Sequence, residues 1–523
     1  MVAASELPID NSATATEMAN AIFGDGVTVV GATYNGDYWS SGTYSDGDAT
    51  SPGVTPGDTG VILSTGYTSR FTNGFGSSNH NTNTSSNTFN GIDGDSDFNA
   101  LAGTRTYDAS ILNVDFIPTG DLMTMQFTFS SEEFPEYVSS AYNDVIGVWI
   151  NGTHVPISFG DGDVNVTNVS QQTNLYQDNT NDALNTEMDG VTLTLSLTIP
   201  VNSGVVNSIR IGVADVSDSS YDSTLLIGGD SVQTLLVADD DSTTMYVGGT
   251  HTTDLLANDI NNTGGTLTIT HINGVAVSAG DTVTLNTGQT VTLNADGTVT
   301  IVADADVEEV NFTYTTESST GHSDIGIVTV DTIPCFVAGT LILTPDGEFP
   351  VETLQPGDMI ETHDHGAQPL RWIGRRTVPA IGNFAPIRIR AKTFGDHETL
   401  LVSPQHRVLI RDSLAELLFG ETEVLVAAKD LVNDHSVRAM EGGDVEYVHL
   451  LFDQHQVIYS EGLATESFLP GPQTSHCFER DIVEEICTIF PELDPHTGEG
   501  YSPAARRTLK SYEAQVLFAQ SAA

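Results

Sequence analysis

Thr340-Leu341-Ile342-Leu343-Thr344-Pro345-Asp346-Gly347-Glu348-Phe349-Pro350-Val351-Glu352-Thr353 decides the fold class of the chain's last third. Thr340 to Thr344 reads as a strand, because β-branched and apolar residues alternate there over a short run bounded by turn formers. Pro345-Asp346-Gly347 is the turn: proline presets φ, and glycine accepts the positive φ that tight turns demand. Phe349 to Thr353 returns as a second strand. Pro356-Gly357-Asp358 makes a second turn and Met359 to Thr362 a third strand. The pattern is a β-meander, and a cysteine, Cys335, stands at its entrance.

The same pattern of short strands and tight turns runs upstream. Val27 to Val30, Met123 to Phe129, Val145 to Ile150, Val191 to Ile199 and Ser208 to Val213 suit β pairing, and a β-sandwich over residues 1–237 would accommodate them. A smaller sandwich spans 238–334, with strands Leu267 to Ile272, Thr282 to Asn286, Thr290 to Asn294, Thr298 to Ala303, Asn311 to Thr315 and Ile325 to Val330. The strand-rich third region covers 335–475. In the tail, 476–523, Ile482 to Phe490 and Ala504 to Ala519 carry helical spacing, so a short helical tail is predicted. The expectation is a multidomain all-β chain, since 523 residues exceed what one core supports.

Charge narrows the function. A formal net charge of -53 makes association with nucleic acid or anionic lipid unfavourable at every approach. Before Cys335 the cations are Arg70, Arg105 and Arg210, with no lysine, so a domain boundary is also written in charge. Such a surface fits a saline or calcium-containing exterior better than cytosol. The first twenty residues lack a basic start and an apolar core, so no cleaved leader is expected, and no run reaches membrane-spanning length. Cys335, Cys477 and Cys487 cannot build a disulfide framework, and their odd number leaves at least one free thiol.

Two features ask for a common explanation: the cysteine at the head of a strand-rich domain, and Ser403-Pro404-Gln405-His406 entering the apolar strand Arg407 to Ile410. A Ser-x-x-His spacing across a proline-containing bend can direct a hydroxyl and an imidazole into one pocket, the equipment for polarising an amide. A thiol is the best side-chain nucleophile near neutral pH, yet it needs a base or cation to become thiolate. An amide nitrogen leaves only when protonated, which asks for a positioned acid.

With these residues in place, the third region resembles the Hint superfamily of hedgehog autoprocessing domains and inteins, and above all bacterial Hint-domain proteins. The resemblance rests on Cys335-Phe336-Val337-Ala338-Gly339-Thr340, Pro345-Asp346-Gly347, Leu354-Gln355-Pro356-Gly357-Asp358, Pro369-Leu370-Arg371-Trp372-Ile373-Gly374, Ser403-Pro404-Gln405-His406 and Glu446-Tyr447-Val448-His449-Leu450-Leu451-Phe452. It implies self-cleavage at the Pro334-Cys335 bond: Cys335 attacks the Pro334 carbonyl, an N-to-S acyl shift gives a thioester, and a second nucleophile releases the N-terminal segment. Ser403 and His406 then match the element that binds and protonates the scissile nitrogen. His449 and His455 are candidates for a second imidazole, and a histidine followed by a strand and a glycine-centred turn ranks His455 first. Inteins end in His-Asn; here the corresponding strand runs Leu463-Ala464-Thr465-Glu466-Ser467, so splicing is not expected. The prolyl carbonyl is crowded, so processing is expected to be slow or triggered. His363-Asp364-His365 reads as a solvated hairpin turn rather than a zinc fragment.

The front region resembles the choice-of-anchor L domain through Phe129-Ser130-Ser131-Glu132-Glu133-Phe134, Tyr142-Asn143-Asp144-Val145-Ile146-Gly147-Val148-Trp149-Ile150-Asn151-Gly152 and the run Ala214 to Ser223. The middle unit, with Leu255-Leu256-Ala257-Asn258-Asp259 and Asn294-Ala295-Asp296-Gly297-Thr298, resembles a cadherin-like or VCBS-type repeat. Both resemblances imply a secreted or surface location more than a chemistry. Asp93, Asp95 and Asp97, and Asp215, Asp218 and Asp222, offer hard oxygens that suit Ca2+, against the plainer reading that Asp-rich turns cap loops. Cleavage itself needs no cofactor.

Two functions follow as expectations. One is a secreted autoprocessing protein that acts on its own polypeptide and passes its front to water, a small nucleophile or a surface acceptor. The other is a non-enzymatic, calcium-stabilised surface or adhesion protein with an inactive Hint region. Export is expected by a type I-like route using Glu513-Ala514-Gln515-Val516-Leu517-Phe518-Ala519.

Overall fold

The computed structural model describes residues 2–517 except 81–83, 87, 89, 139, 160–161, 171, 246–249, 304–309, 333–334, 381–384, 413, 416–420, 434, 441, 470–488, 491–500, 510–513 and 515–516. Contacts divide the chain into two units, one built from Met1–Asp241, Thr252–Thr300 and Val310–Thr329, the other chiefly from Val330–Ala523. Strands dominate both, as the spacing of turn formers predicts.

In the first unit two antiparallel sheets make a sandwich. One runs Ile9–Asp10, Ser41–Tyr44, Gly60–Ser64, Ser223–Gly228, Leu122–Ser131, Gly190–Thr192 and Tyr176–Asp178, with Leu195–Pro200 also paired to Leu122–Ser131. The other runs Val27–Asn35, Thr106–Pro118, Asn207–Val216, Val145–Ile150 and Thr153–His154. Alternate residues of both sheets meet in the core, where Leu112, Phe116, Met123, Phe127, Val148 and Ile211 are buried. The predicted single strand Val191 to Ile199 is two, Gly190–Thr192 and Leu195–Pro200. Helix Ala15–Ile22 packs Met18, Ala19 and Ile22 on the sandwich and starts with a capping box: Glu17 N donates to Thr14 Oγ1 at 3.3 Å while Thr14 N donates to Glu17 Oε2 at 2.8 Å. Thr14→Ala should therefore lower the stability of this unit by about 1 kcal/mol, read as a fall in denaturation midpoint without change of slope. In the stretch read as the smaller sandwich, Leu267–Ile272 pairs with Val310–Ser318, and Thr282–Thr284 with Thr290–Leu293.

The second unit contains the meander. Leu341–Thr344 pairs with Gly347–Pro350 across Pro345-Asp346, and Gly347 takes φ 118, the value for which a glycine is needed. The predicted second strand stops at Pro350, and Val351–Thr353 is a 3₁₀ turn, because buried Val351 turns inward to the core. A sheet of six strands holds Trp372–Pro379, Asp444–Leu451, Phe336–Val337, Leu400–Val402, Ile387–Ile389 and Val437–Ala439 in that order. A larger sheet includes Val457–Ser460, Leu463–Glu466, Arg407–Arg411 and Glu423–Ala427. Of the predicted helical tail, 482–488 lies outside the described residues, as do Cys477 and Cys487. Arg407–Arg411 has Glu423–Ala427 beside it, and that strand in turn takes Arg507–Thr508 as a parallel neighbour, so part of the predicted helix Ala504 to Ala519 is strand. Ala514 and Leu517 from the presumed export segment are buried in this unit's core.

Candidate active site

Strand register places the cysteine. Phe336 pairs antiparallel with Val402 on one side and with Val448 on the other. One step back along Phe336's strand is one step forward along each neighbour, so Cys335 comes opposite Ser403 and His449. The side chains confirm the arithmetic. Cys335 N donates to Ser403 Oγ at 2.7 Å, Ser403 N donates to the Cys335 carbonyl at 2.9 Å, and Cys335 Sγ lies 3.3 Å from His449 Nε2. Cys335, Ser403 and His449 are all buried. Ala380, Val445 and Tyr447 pack with Cys335, and burial, then the neighbouring sulfur, pushes the Tyr447 hydroxyl well above its ordinary range. The His449 ring meets Phe468 edge-on at 5.7 Å.

His406 ends the bend that begins at Ser403, its N–H donating to the Ser403 carbonyl at 3.1 Å. Its ring packs on Phe336 at 4.3 Å between centroids, and among the described residues neither ring nitrogen has a hydrogen-bond partner. Burial holds its pKa down at about 4, although Glu466 pulls the other way. At neutral pH His406 is thus uncharged. Pro334, the other half of the expected scissile bond, lies outside the described residues.

His455, ranked first from the sequence, belongs to a different network. Its Nδ1 accepts from Ala505 N at 2.9 Å, which fixes the proton on Nε2, 3.1 Å from the Ser467 carbonyl and 3.6 Å from Glu466 Oε2. Arg407 closes the group, its N–H donating to Glu466 Oε1 at 2.9 Å and its guanidinium to Oε2 at 3.2 Å. Burial raises the Glu466 carboxyl, but Arg407 and His455 outweigh it and hold the pKa near about 2. The imidazole at the sulfur is therefore His449. The sequence signal for it was the strand Asp444–Leu451 itself, once its register to Phe336 is known.

Residues 334–472 match the Hint domain family. The domain has an autoprocessing-type fold, and Cys335, Ser403 and His449 fall inside the matched stretch. Residues 7–233 match the choice-of-anchor L domain, and 233–331 a bacterial Ig domain where the sequence resembled cadherin-like or VCBS-type repeats. Among solved structures, the chain is similar to the gp41-1 intein at 10% identity, covering 25% of this chain and 97% of that one with a TM-score of 0.18. It is also similar to the N-terminal eight Ig domains of Down Syndrome Cell Adhesion Molecule, at 9% identity over 56% of this chain and 35% of that one with a TM-score of 0.15. A third similarity is to the M60 catalytic domain with CBM51 domains of ZmpB from Clostridium perfringens, at 10% identity over 84% and 43%, TM-score 0.13. No curated protein matches the chain.

Outside the Hint domain the aspartates divide. Asp95 caps helix Ser96–Ala102, accepting from Asp97 N at 3.1 Å and Phe98 N at 3.2 Å, and pairs with Arg210. Asp97 meets the same Arg210 at 3.3 Å, and Asp93 meets Arg105 at 3.7 Å. Asp215 and Asp222 are buried, Asp222 accepting from Ser86 N and Oγ at 2.7 Å each, while Asp218 accepts from Ser220 N at 2.9 Å. His363-Asp364-His365 is the hairpin turn expected, with Asp364 paired to Arg506 at 2.7 Å. Among the described residues no helix is long and apolar enough to cross a membrane.

Proposed function

We propose that this protein is a surface or extracellular autoprocessing protein whose Hint domain cleaves the chain at Pro334-Cys335 without splicing. The observation that carries the reading is the placement of Cys335 between two groups: its nitrogen on Ser403 Oγ at 2.7 Å and its sulfur 3.3 Å from His449 Nε2. His449 takes the thiol proton, and the sulfur attacks the Pro334 carbonyl carbon. As the C–S bond forms and the C–N bond breaks, the proton passes to the Cys335 nitrogen, which Ser403 orients and which becomes a free amine. The thioester is then opened by water or an acceptor nucleophile, returning the proton to the Cys335 thiol. His406, which the sequence offered as the group protonating the scissile nitrogen, packs its ring on Phe336, and among the described residues neither of its ring nitrogens has a hydrogen-bond partner.

The test is fragmentation of purified protein at neutral pH. Wild type should divide into two pieces, faster with added thiol, and Cys335→Ala should stay whole; wild type that remains intact through long incubation with thiol sinks the reading. The crowding of a prolyl carbonyl gives a further expected outcome. Pro334→Gly should cleave several-fold faster than wild type in the same thiol assay, since a less hindered carbonyl is easier to attack.

A second reading, an adhesion or surface protein stabilised by calcium with a silent Hint domain, is favoured by the buried carboxylates of the sandwich. The choice-of-anchor L and bacterial Ig matches support an exterior location under either reading.

A further inference from the structure

Residues opposite each other in an antiparallel pair stand on one face of the sheet, so register maps the surroundings of Cys335. Phe336 pairs with Val402, which sets Val337 against Leu401; Leu401 pairs with Arg388, and Arg388 with Arg438. Val337 packs with Cys335, whereas Phe336, Val402, Ile387, Ile389 and Val437 turn to the domain core on the other face. Arg388 and Arg438 therefore share the face of Cys335 and Ser403. Arg388 lies two strands from Cys335, about 10 Å across the sheet.

Two guanidinium groups directly opposite each other on one face repel, so the pair calls for an anion. Its own neighbourhood offers none: strands Leu400–Val402, Ile387–Ile389 and Val437–Ala439 carry no acid. In a chain with 70 acids against 17 lysines and arginines, no carboxylate is paired with Arg388 or Arg438 among the described residues, whereas Arg371, Arg407, Arg411 and Arg506 of the same unit each have one. Arg388 is half-buried, and its Nε, shut away from solvent, has no hydrogen-bond partner among the described residues. The field of the whole chain repels anions, so a positive place on the face of the nucleophile acts on what reaches the thioester.

We propose, resting on the cleavage reading above, that Arg388 and Arg438 select the acceptor: a small thiol or amine that carries a carboxylate or another oxyanion. The planar guanidinium fork suits an oxyanion, and it holds the acceptor's charged end while the nucleophilic end meets the carbonyl. The acceptor's thiol or amine attacks the Pro334 carbonyl carbon of the thioester, the bond from that carbon to Cys335 Sγ breaks, and the proton lost by the acceptor returns to the sulfur.

The test incubates the full chain at neutral pH and low salt with 2-mercaptoethanesulfonate or with 2-mercaptoethanol, thiols that differ chiefly in the anionic end, and reads the ratio of the two cleavage rates. The sulfonate should be faster by about fivefold or more, and its advantage should shrink toward equality as salt approaches about 1 M, where charges are screened within about 3 Å. In Arg388→Gln and in Arg438→Gln the two rates should become equal at low salt, while Arg371→Gln, whose guanidinium is held by Asp453, keeps the wild-type ratio. Equal rates with the two thiols in wild type would overturn the proposal, and so would a ratio that survives in both Arg388→Gln and Arg438→Gln. Cleavage by neither thiol would instead take down the cleavage reading, and the proposal with it. If Arg388→Gln does not fold, Arg438→Gln, whose side chain is exposed, decides.

Discussion

His449→Gln should slow thiol-dependent cleavage about 10²- to 10⁴-fold at pH 7, the span a positioned general base supplies. The expectation follows from the 3.3 Å separation between Cys335 Sγ and His449 Nε2 in a pocket closed by Tyr447 and Val445. A glutamine keeps the volume and a polar tip but cannot take a proton. The defect should shrink as pH rises toward 9, because a free thiol with a pKa of about 8.5 then ionises without help. A merely structural role for His449 would leave the loss equal at both pH values. His455→Gln gives the contrast: its ring is spent on Ala505, Ser467 and Glu466, so thiol-dependent cleavage should persist within a few-fold of wild type.

The Hint domain should lose stability in acid well before the sandwich does. His406 is buried with a pKa near about 4, against an ordinary 6.5 in the unfolded chain. A lowered folded pKa means that the unfolded state binds more protons below about 6.5, so stability falls as pH drops from there toward 4, by about 3 kcal/mol in all. Glu466 extends the same slope: held near about 2, its stabilising contribution is complete above an unfolded pKa of 4.5 and disappears as pH falls toward 2. Hydrogen exchange of peptides covering 400–411 in the Cys335→Ala chain should therefore accelerate between pH 6.5 and 4 after correction for the intrinsic rate. His406→Gln, which cannot charge, should remove that part of the slope and leave the Glu466 part. An identical pH slope in wild type and His406→Gln would show that His406 is not the group responsible.

Particular residues show where the sequence was legible. Alternation and turn chemistry located Val145–Ile150 and Leu267–Ile272 to the residue, because both are short, β-branched and closely bounded. The same signals missed the break inside Val191 to Ile199, where Leu193 N donates to the Leu175 carbonyl, and the 3₁₀ turn at Val351–Thr353, where Val351 is buried. At the site, Cys335 and Ser403 were legible as motif residues, and each borders one of two paired strands, Phe336–Val337 and Leu400–Val402. Choosing between His449 and His455 required register, and register depends on pairings more than a hundred residues apart in the chain: Phe336 with Val448. The carboxylates were harder still. Asp95 and Glu133 look alike in the sequence, yet one caps a helix beside Arg210 and the other is buried with its Oε2 unpaired among the described residues. Which acid is buried is a property of the assembled sandwich, not of the local run.

Intact mass of the released N-terminal piece bears most directly on Cys335 as the nucleophile. Treated with hydroxylamine or a small thiol, wild type should yield a fragment ending at Pro334 and carrying the hydroxamate or the thioester, with a matching piece that begins at Cys335, and Cys335→Ala should yield neither. A fragment ending at any other residue, or the same fragment from Cys335→Ala, would contradict it.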